Sequence, residues 1–299
     1  MGPLEALLEP IETVDTDDAR VFWEAIRPLA RGRSPFELAV RGGLRADRVG
    51  LAFAAGYHAA VCALVPDRPR DRLAALCASE KGPPDPRRVS TTIDLATSEI
   101  TGVKGFVTFG TDAEDLYVLA SAGEEGGRAS LALAEVRAAS TGVRVEALPP
   151  LGFVPEIPHA RVRFEGARAE RVLPGDGWAD HVRPFRTIED VHVHAALLAF
   201  LIGRARVHRW PADLVEEAMA LIGSLATIAA GDPSSVATHL SLAGTIALSR
   251  ALVARLEPSW QSAPEAERLR WRRDQALLAV ADRARAKRLE KARSALRAP

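Results

Sequence analysis

The sequence predicts an α+β protein with an N-terminal helical block, a central antiparallel β-barrel or sandwich and a C-terminal four-helix up-down bundle. Three observations support this order. Residues 20–64 carry apolar side chains at helical spacing. Residues 73–173 contain roughly seven short runs with strand-like alternation. From residue 187 onward the apolar period returns to that of helices. We therefore expect domains at 1–72, 73–180 and 181–299.

The composition limits the function classes. The chain has 299 residues and a formal net charge of zero, whereas a protein that neutralises many phosphates is usually basic, so we expect no nucleic-acid partner. We expect a cytoplasmic protein because the N-terminus lacks a signal-peptide pattern. No charge-free apolar stretch reaches about 18 residues, so we expect no membrane span.

Cys62 and Cys77 lie in apolar surroundings without metal-ligand spacing, which favours buried free thiols.

The N-terminal block is expected to contain three helices. Asp17 or Asp18 can cap the first helix, because a carboxylate accepts the free N–H groups of a first turn. Ser34 precedes a proline and starts the second helix, which 42–43, a pair of glycines, should end. A long apolar helix is then expected over 45–64.

The central region reads as short strands separated by turns. Residues 73–78 and 89–95 are the first two candidates. The segment 100–111 is predicted to be a β-hairpin, with Gly102 and Gly105 at the bends because glycine adopts positive φ readily. Four further segments complete the set, namely 116–120, 131–136, 143–148 and 160–173, the last holding two strands.

The C-terminal region is expected to form four helices. Thr187 should cap the first helix, with Glu189 and Asp190 in its first turn, where carboxylates interact favourably with the helix dipole. Pro211 should start the second helix, and the third should open near residue 232. A fourth is expected to run from about residue 264 to 296.

The sequence resembles a shortened, divergent member of the acyl-CoA dehydrogenase superfamily. The resemblance rests on the order of these blocks and on three segments within them. Segment 76–82 (LCASEKG) is similar to the family's strand end that carries Thr-Glu-Pro-Gly, with Ser79 in place of threonine. Segment 100–110 (ITGVKGFVTFG) resembles its Gly-x-Lys-x-Trp/Phe-Ile-Thr-x-Gly motif. Segment 153–177 resembles the strand pair that leads into the family's bundle.

This resemblance implies a flavoprotein that uses FAD to dehydrogenate an acyl-CoA or a similar acyl thioester. It would place Ser79, Phe106, Val107 and Thr108 against the flavin, where an apolar wall and a few hydrogen-bond donors tune the ring. Some family members carry their catalytic base on the first bundle helix. Asp190, with Glu189 beside it, lies near that position. The resemblance also implies a homodimer or tetramer formed through the helical bundle.

The sequence departs from the family's pattern in two ways, and these differences leave a second interpretation open. The family's Arg-x-x-Phe-Gly segment, which meets FAD of a neighbouring subunit, is not matched at 206–213, and no final helix with the usual catalytic glutamate is found. The alternative is a non-catalytic member of the fold that acts as a partner subunit or binding protein. No metal is expected, because His192 and His194 point to different faces of a helix.

Overall fold

The computed structural model describes residues 2–125 and 128–296. By its internal contacts the chain divides into two compact units. The helical unit is assembled from three separate stretches, Met1–Pro66, Leu151–Glu156 and Thr187–Pro299. The β unit comprises Asp67–Pro150 and Ile157–Arg186.

The helical unit begins with α1 (Ala19–Ile26), α2 (Pro35–Arg45) and α3 (Val49–Leu64). The expected caps form at α1 and α2: the Asp18 carboxylate accepts two backbone N–H groups, and Ser34 forms a reciprocal capping box with Glu37. In α3, 13 of the 16 residues are buried, so this helix is enclosed on nearly all sides.

The glycine pair at 42–43 does not end α2, contrary to the prediction, because the helix continues to Arg45. The reason is a close approach between helices. A Cβ on Gly43 would overlap the backbone carbonyl of Ala196, and one on Gly42 would overlap the Ala55 side chain. These glycines are therefore sites of tight packing within the helical unit, and α3 starts at Val49 rather than at residue 45.

Five further helices follow: α4 (Arg183–His208), α5 (Ala212–Ala229), α6 (Val236–Leu256), α7 (Glu265–Asp274) and α8 (Asp282–Leu296). Thr187 is not a cap. A π-helical turn, Gly177–Val182, capped by Asp176, leads directly into α4, so the helix starts before Thr187. Glu189 and Asp190 consequently lie inside α4, and its first turn contains no acidic residue.

The single fourth helix predicted for 264–296 was also wrong. Helices α7 and α8 are separated by a 3₁₀ segment, Gln275–Ala279. The break is stabilised by tertiary contacts, because Arg250 and Arg285 both donate hydrogen bonds to the Leu278 carbonyl, at 3.3 and 3.1 Å. The apolar sequence of this segment gives no local sign of that interruption.

The stretch Val236–Ser262, which contains α6, is long and apolar enough to cross a membrane by length and composition alone. About a third of its most apolar window is buried within the unit. Core helices of water-soluble proteins meet the same criterion, so length and composition do not by themselves make this stretch a membrane span.

The β unit is an eight-stranded, mainly antiparallel sheet. Its longest path is β6-β7-β3-β2-β4-β5-β8, and β1 pairs with β4 in parallel. A core that includes Ile100, Val136 and Phe164 fills the interior of the unit. The strands are β1 (Ala74–Cys77), β2 (Thr92–Asp94), β3 (Glu99–Thr108), β4 (Asp115–Glu125), β5 (Arg128–Arg137), β6 (Val143–Ala147), β7 (His159–Arg168) and β8 (Arg171–Val172).

The predicted hairpin at 100–111 is not present, because 99–108 form one continuous strand, β3, paired with β7. Gly105 instead marks an irregularity of the strand. Lys104 pairs with Val162, and Val107 pairs with Ala160. Two residues of β3, Gly105 and Phe106, therefore face a single residue of β7. This is a β-bulge, which bends a strand and redirects a side chain.

Candidate cofactor-binding face

The bulge in β3 brings the segment after β1 next to the strand. The Gly105 N–H donates a hydrogen bond of 2.9 Å to the Ser79 carbonyl. A Cβ at residue 105 would overlap the Glu80 carbonyl, so only glycine permits this approach. The bulge thus places Ser79 beside the strand that carries Phe106 and Thr108.

Phe106 is the most unusual side chain of this region, because it is a large apolar ring with 43 % of its surface exposed. It stacks on His159, with ring centroids 4.3 Å apart and an angle of 29° between the planes. Thr108 pairs directly with His159 across the strands. We call the group Ser79, Phe106, Thr108 and His159 the Phe106 face.

Two hydroxyl groups of the Phe106 face are available to a ligand. Ser79 and Thr108 are half-buried, and neither hydroxyl forms a hydrogen bond to another protein group among residues 2–125 and 128–296. Burial lowers the pKa of His159, and the Ile157 carbonyl opposes that shift. The ring is therefore neutral near pH 7 and offers no charge to the face.

Val107 has the opposite orientation to its neighbours on β3. Its side chain is fully buried in the core of the β unit. Because successive residues of a strand point to opposite sides, Val107 and Phe106 cannot both present side chains to one ligand. Any contact between Val107 and a cofactor would have to use its backbone.

A buried ion pair anchors the Phe106 face. Lys104 is completely buried, and its Nζ lies 2.7 Å from Oε1 of Glu80. The other interactions of the Glu80 carboxylate are hydrogen bonds from the backbone N–H groups of Ser90 and Thr91 and from the Ser90 hydroxyl. Burial alone would raise the pKa of Glu80, but Lys104 and these hydrogen bonds lower it to about 2.

His159 was missed by the sequence analysis. In the sequence, His159 lies at the start of a strand, and no second residue lies at a spacing typical of a catalytic or metal-binding motif. Only the pairing register between β3 and β7 connects it with Thr108 and the bulge. Its buried Nδ1 atom has no hydrogen-bond partner among the described residues, which is uncommon for a buried polar group.

The two predicted catalytic carboxylates lie on α4 in the helical unit. Asp190 is 5 % exposed, and both its oxygens are engaged by guanidinium groups of α8. Arg285 donates to Oδ1 at 2.8 and 3.0 Å, and Arg288 donates to Oδ2. Glu189 is half-buried and also interacts with other residues. Asp190 is therefore held in an ion-pair cluster that joins α4 to α8.

Across the described part of the chain, no group of three or more His, Cys, Asp and Glu side chains is arranged to hold a metal ion. Cys62 and Cys77 are buried and are not joined by a disulfide, as the sequence predicted. Burial raises the pKa of Cys77 to about 12, which makes it unreactive as a thiolate.

Comparison with known proteins shows similarity only at the level of structure. No protein-family model and no curated protein matches the sequence. Among solved structures, PigA with FAD and proline aligns with a TM-score of 0.68 at 11 % identity, covering 99 % of this chain and 93 % of PigA. Butyryl-CoA dehydrogenase from Megasphaera elsdenii aligns with a TM-score of 0.69 at 11 % identity, covering 94 % and 90 %.

A third similar structure is the prolyl acyl carrier protein oxidase AnaB, with a TM-score of 0.66 at 14 % identity, covering 92 % of this chain and 90 % of AnaB. The chain has the acyl-CoA dehydrogenase fold. The α+β class inferred from the sequence is thereby confirmed, with the corrections to individual helices and strands given above.

Proposed function

We propose that this protein binds FAD at the Phe106 face and is an oxidoreductase that removes two hydrogens from the α and β carbons of an acyl thioester. The observation that carries the proposal is the face itself, an exposed aromatic ring beside two unpartnered hydroxyls. The fold supports it, because the similar structures include PigA with bound FAD and a butyryl-CoA dehydrogenase.

The residues of the Phe106 face fit a flavin ring. Phe106 supplies a flat apolar surface, and the hydroxyls of Ser79 and Thr108 can donate hydrogen bonds to ring heteroatoms. The neutral His159 supports the Phe106 ring from behind through the stack. When bound, FAD would supply the acceptor for the hydride from the β carbon.

The proposed base for the α-proton is Asp190, with Glu189 as the other carboxylate of the same helix. Arg285 and Arg288 form ion pairs with the two oxygens of Asp190, and a proton accepted from the substrate would weaken both contacts. Asp190 is therefore the residue to test first.

Spectroscopy of the purified protein tests cofactor binding directly. We expect flavin absorption bands, either as isolated or after addition of FAD, and Thr108→Val together with Ser79→Ala should weaken FAD binding. Thr111→Val, an exposed threonine on the same stretch of chain, is the matched control and should leave binding unchanged. Protein that takes up no FAD would refute the proposal.

The reaction is tested by bleaching of the bound flavin with acyl-CoA under anaerobic conditions. Asp190→Asn should abolish bleaching while FAD stays bound, whereas Glu189→Gln on the same helix should retain it. Undiminished bleaching in Asp190→Asn would remove Asp190 as the base. The acyl thioesters of a carrier protein are a second substrate form to assay, since AnaB is a carrier-protein oxidase.

The ion-pair cluster at Asp190 favours a second candidate, a non-catalytic member of the fold that acts as a partner subunit or binding protein. In that role Asp190 only joins α4 to α8. This candidate predicts that no acyl thioester bleaches a flavin bound to the unaltered protein. The two candidates thus give opposite results in the same assay.

We further propose that a second copy of the chain packs on the helical unit, giving a cytoplasmic homodimer or tetramer. On α6, Ala237 and Gly244 are exposed and Ala243 is half-buried, so another helix can approach closely. Leu248 on the same helix is 57 % exposed. Leu248→Glu should dissociate the oligomer in analytical ultracentrifugation, and an unchanged sedimentation coefficient would contradict this interface.

A further inference from the structure

A cavity of about 180 Å³, partly open to solvent, lies in the helical unit, and part of its lining comes from residues that flank Glu189 and Asp190 on α4. It is bounded by the C-terminal end of α3, the N-terminal half of α4 and the connection between α5 and α6. For comparison, an apolar protein cavity of roughly 150 Å³ accommodates a benzene-sized molecule. Its walls include Ala63, Ile188, Val191, His192, Ile228 and Thr238.

His192 contributes an unused hydrogen-bond acceptor to this cavity. The residue is 4 % exposed, and its Nδ1 atom lies 2.7 Å from the Ile188 carbonyl. A carbonyl can only accept, so Nδ1 carries the proton, and Nε2 of the neutral ring carries a lone pair. Among the described residues, the ring forms this one hydrogen bond, and Nε2 has no partner. Burial lowers the pKa of His192 to about 4, so the ring is neutral near pH 7.

The charge of the cavity walls restricts the ligand further. None of the side chains that line the cavity is ionised near neutral pH. A charged ligand would lose its hydration there without gaining a counter-ion, which is strongly unfavourable. The two hydroxyls of the lining already take part in hydrogen bonds, Thr238 with Ser235 and Thr187 with His239, whereas Nε2 of His192 takes part in none among the described residues.

We propose that this cavity is a binding site for a small uncharged molecule that has an apolar body and one O–H or N–H group, which donates a hydrogen bond to Nε2 of His192. The apolar body lies against Ile188, Val191 and Ile228. The proposed ligand contacts none of the residues that form the Phe106 face. An aromatic alcohol has the required size and polarity, and phenol is the simplest probe of the class.

The experiment is a titration of the full-length protein, labelled with ¹⁵N-histidine, with phenol and separately with fluorobenzene. The two probes have similar size, but only phenol donates a hydrogen bond. We expect saturable phenol binding with a shift of the His192 Nε2 resonance. Fluorobenzene leaves that nitrogen unpaired and should bind about tenfold more weakly.

Substitutions that fill the cavity test the proposal in a second way. Ala229 lines the cavity, and Ala229→Leu should abolish phenol binding without altering His192. Ala220→Leu, the same change at an exposed position of α5, is the matched control. Ala63→Leu is a second filling variant should the first not fold. Equal binding of the two probes, absence of saturation by phenol, or full binding in a folded filling variant would each overturn the proposal.

Discussion

The buried pair of Glu80 and Lys104 gives the sharpest quantitative prediction, because its two members are not equivalent. Lys104 is fully buried, and Glu80 is its only ion-pair partner among the described residues. Glu80 is 11 % exposed and holds three other hydrogen bonds, from Ser90 and Thr91. Removing the carboxylate therefore leaves a worse defect than removing the ammonium.

The expected magnitudes follow from that asymmetry. Glu80→Gln leaves a buried ammonium without its counter-charge and should lower the free energy of unfolding by about 3–5 kcal/mol. Lys104→Met leaves a carboxylate that keeps its other donors, and should cost only about 1–3 kcal/mol. The double variant Glu80→Gln/Lys104→Met should lose less free energy of unfolding than the two single variants together, because no unpaired charge remains.

Acid should remove the same interaction in the unaltered protein. The pKa of Glu80 is lowered from 4.5 to about 2. The carboxylate is thus easier to protonate in the unfolded chain than in the folded protein. Its stabilisation is complete above pH 4.5 and is lost progressively as the pH falls through about 2. Glu80→Gln should flatten this part of the stability profile.

Native-state hydrogen exchange of peptides from β3 and β7, read by mass spectrometry, measures the effect within the β unit. The matched control is Glu165→Gln, which removes a carboxylate from an exposed ion pair with Arg144 in the same sheet. That change should alter stability by less than about 0.5 kcal/mol. A cost for Glu80→Gln no larger than for Glu165→Gln would refute the reasoning.

Three further outcomes are expected, each measured as the free energy of unfolding in urea. Gly105→Ala should cost more than about 2 kcal/mol because its Cβ meets the Glu80 carbonyl. Asp190→Asn should cost about 3 kcal/mol, because it removes the carboxylate that pairs with Arg285 and Arg288 of α8. Ser249→Ala should stabilise by about 1 kcal/mol, since the buried Ser249 hydroxyl has no partner among the described protein atoms; a loss of stability would contradict this.

The order of the helical and β segments could be predicted from the sequence because the apolar period is a local property. The alternation in 131–136 and 160–164 is visible without knowing which strands pair. Asp18 and Ser34 likewise cap helices through groups two or three residues away. Such features need no information from distant parts of the chain.

The incorrect predictions share a different cause. Gly105 is required by the carbonyl of Glu80, and Gly43 by that of Ala196, both of which are remote in sequence. Read locally, each glycine indicates a turn or a helix end. His159 joins the candidate site only through strand register, and the arginine partners of Asp190 lie on a helix that the sequence does not separate from its neighbour.

The three-part construction of the helical unit has a consequence for synthesis of the protein. Helix α3 leaves the ribosome early, yet 13 of its 16 residues are buried in a unit that needs Thr187 and the chain beyond it. At roughly 5–20 residues per second, the nascent α3 waits on the order of ten seconds for those helices. During that interval its apolar surface is a target for chaperones, whereas the β unit can complete its sheet first.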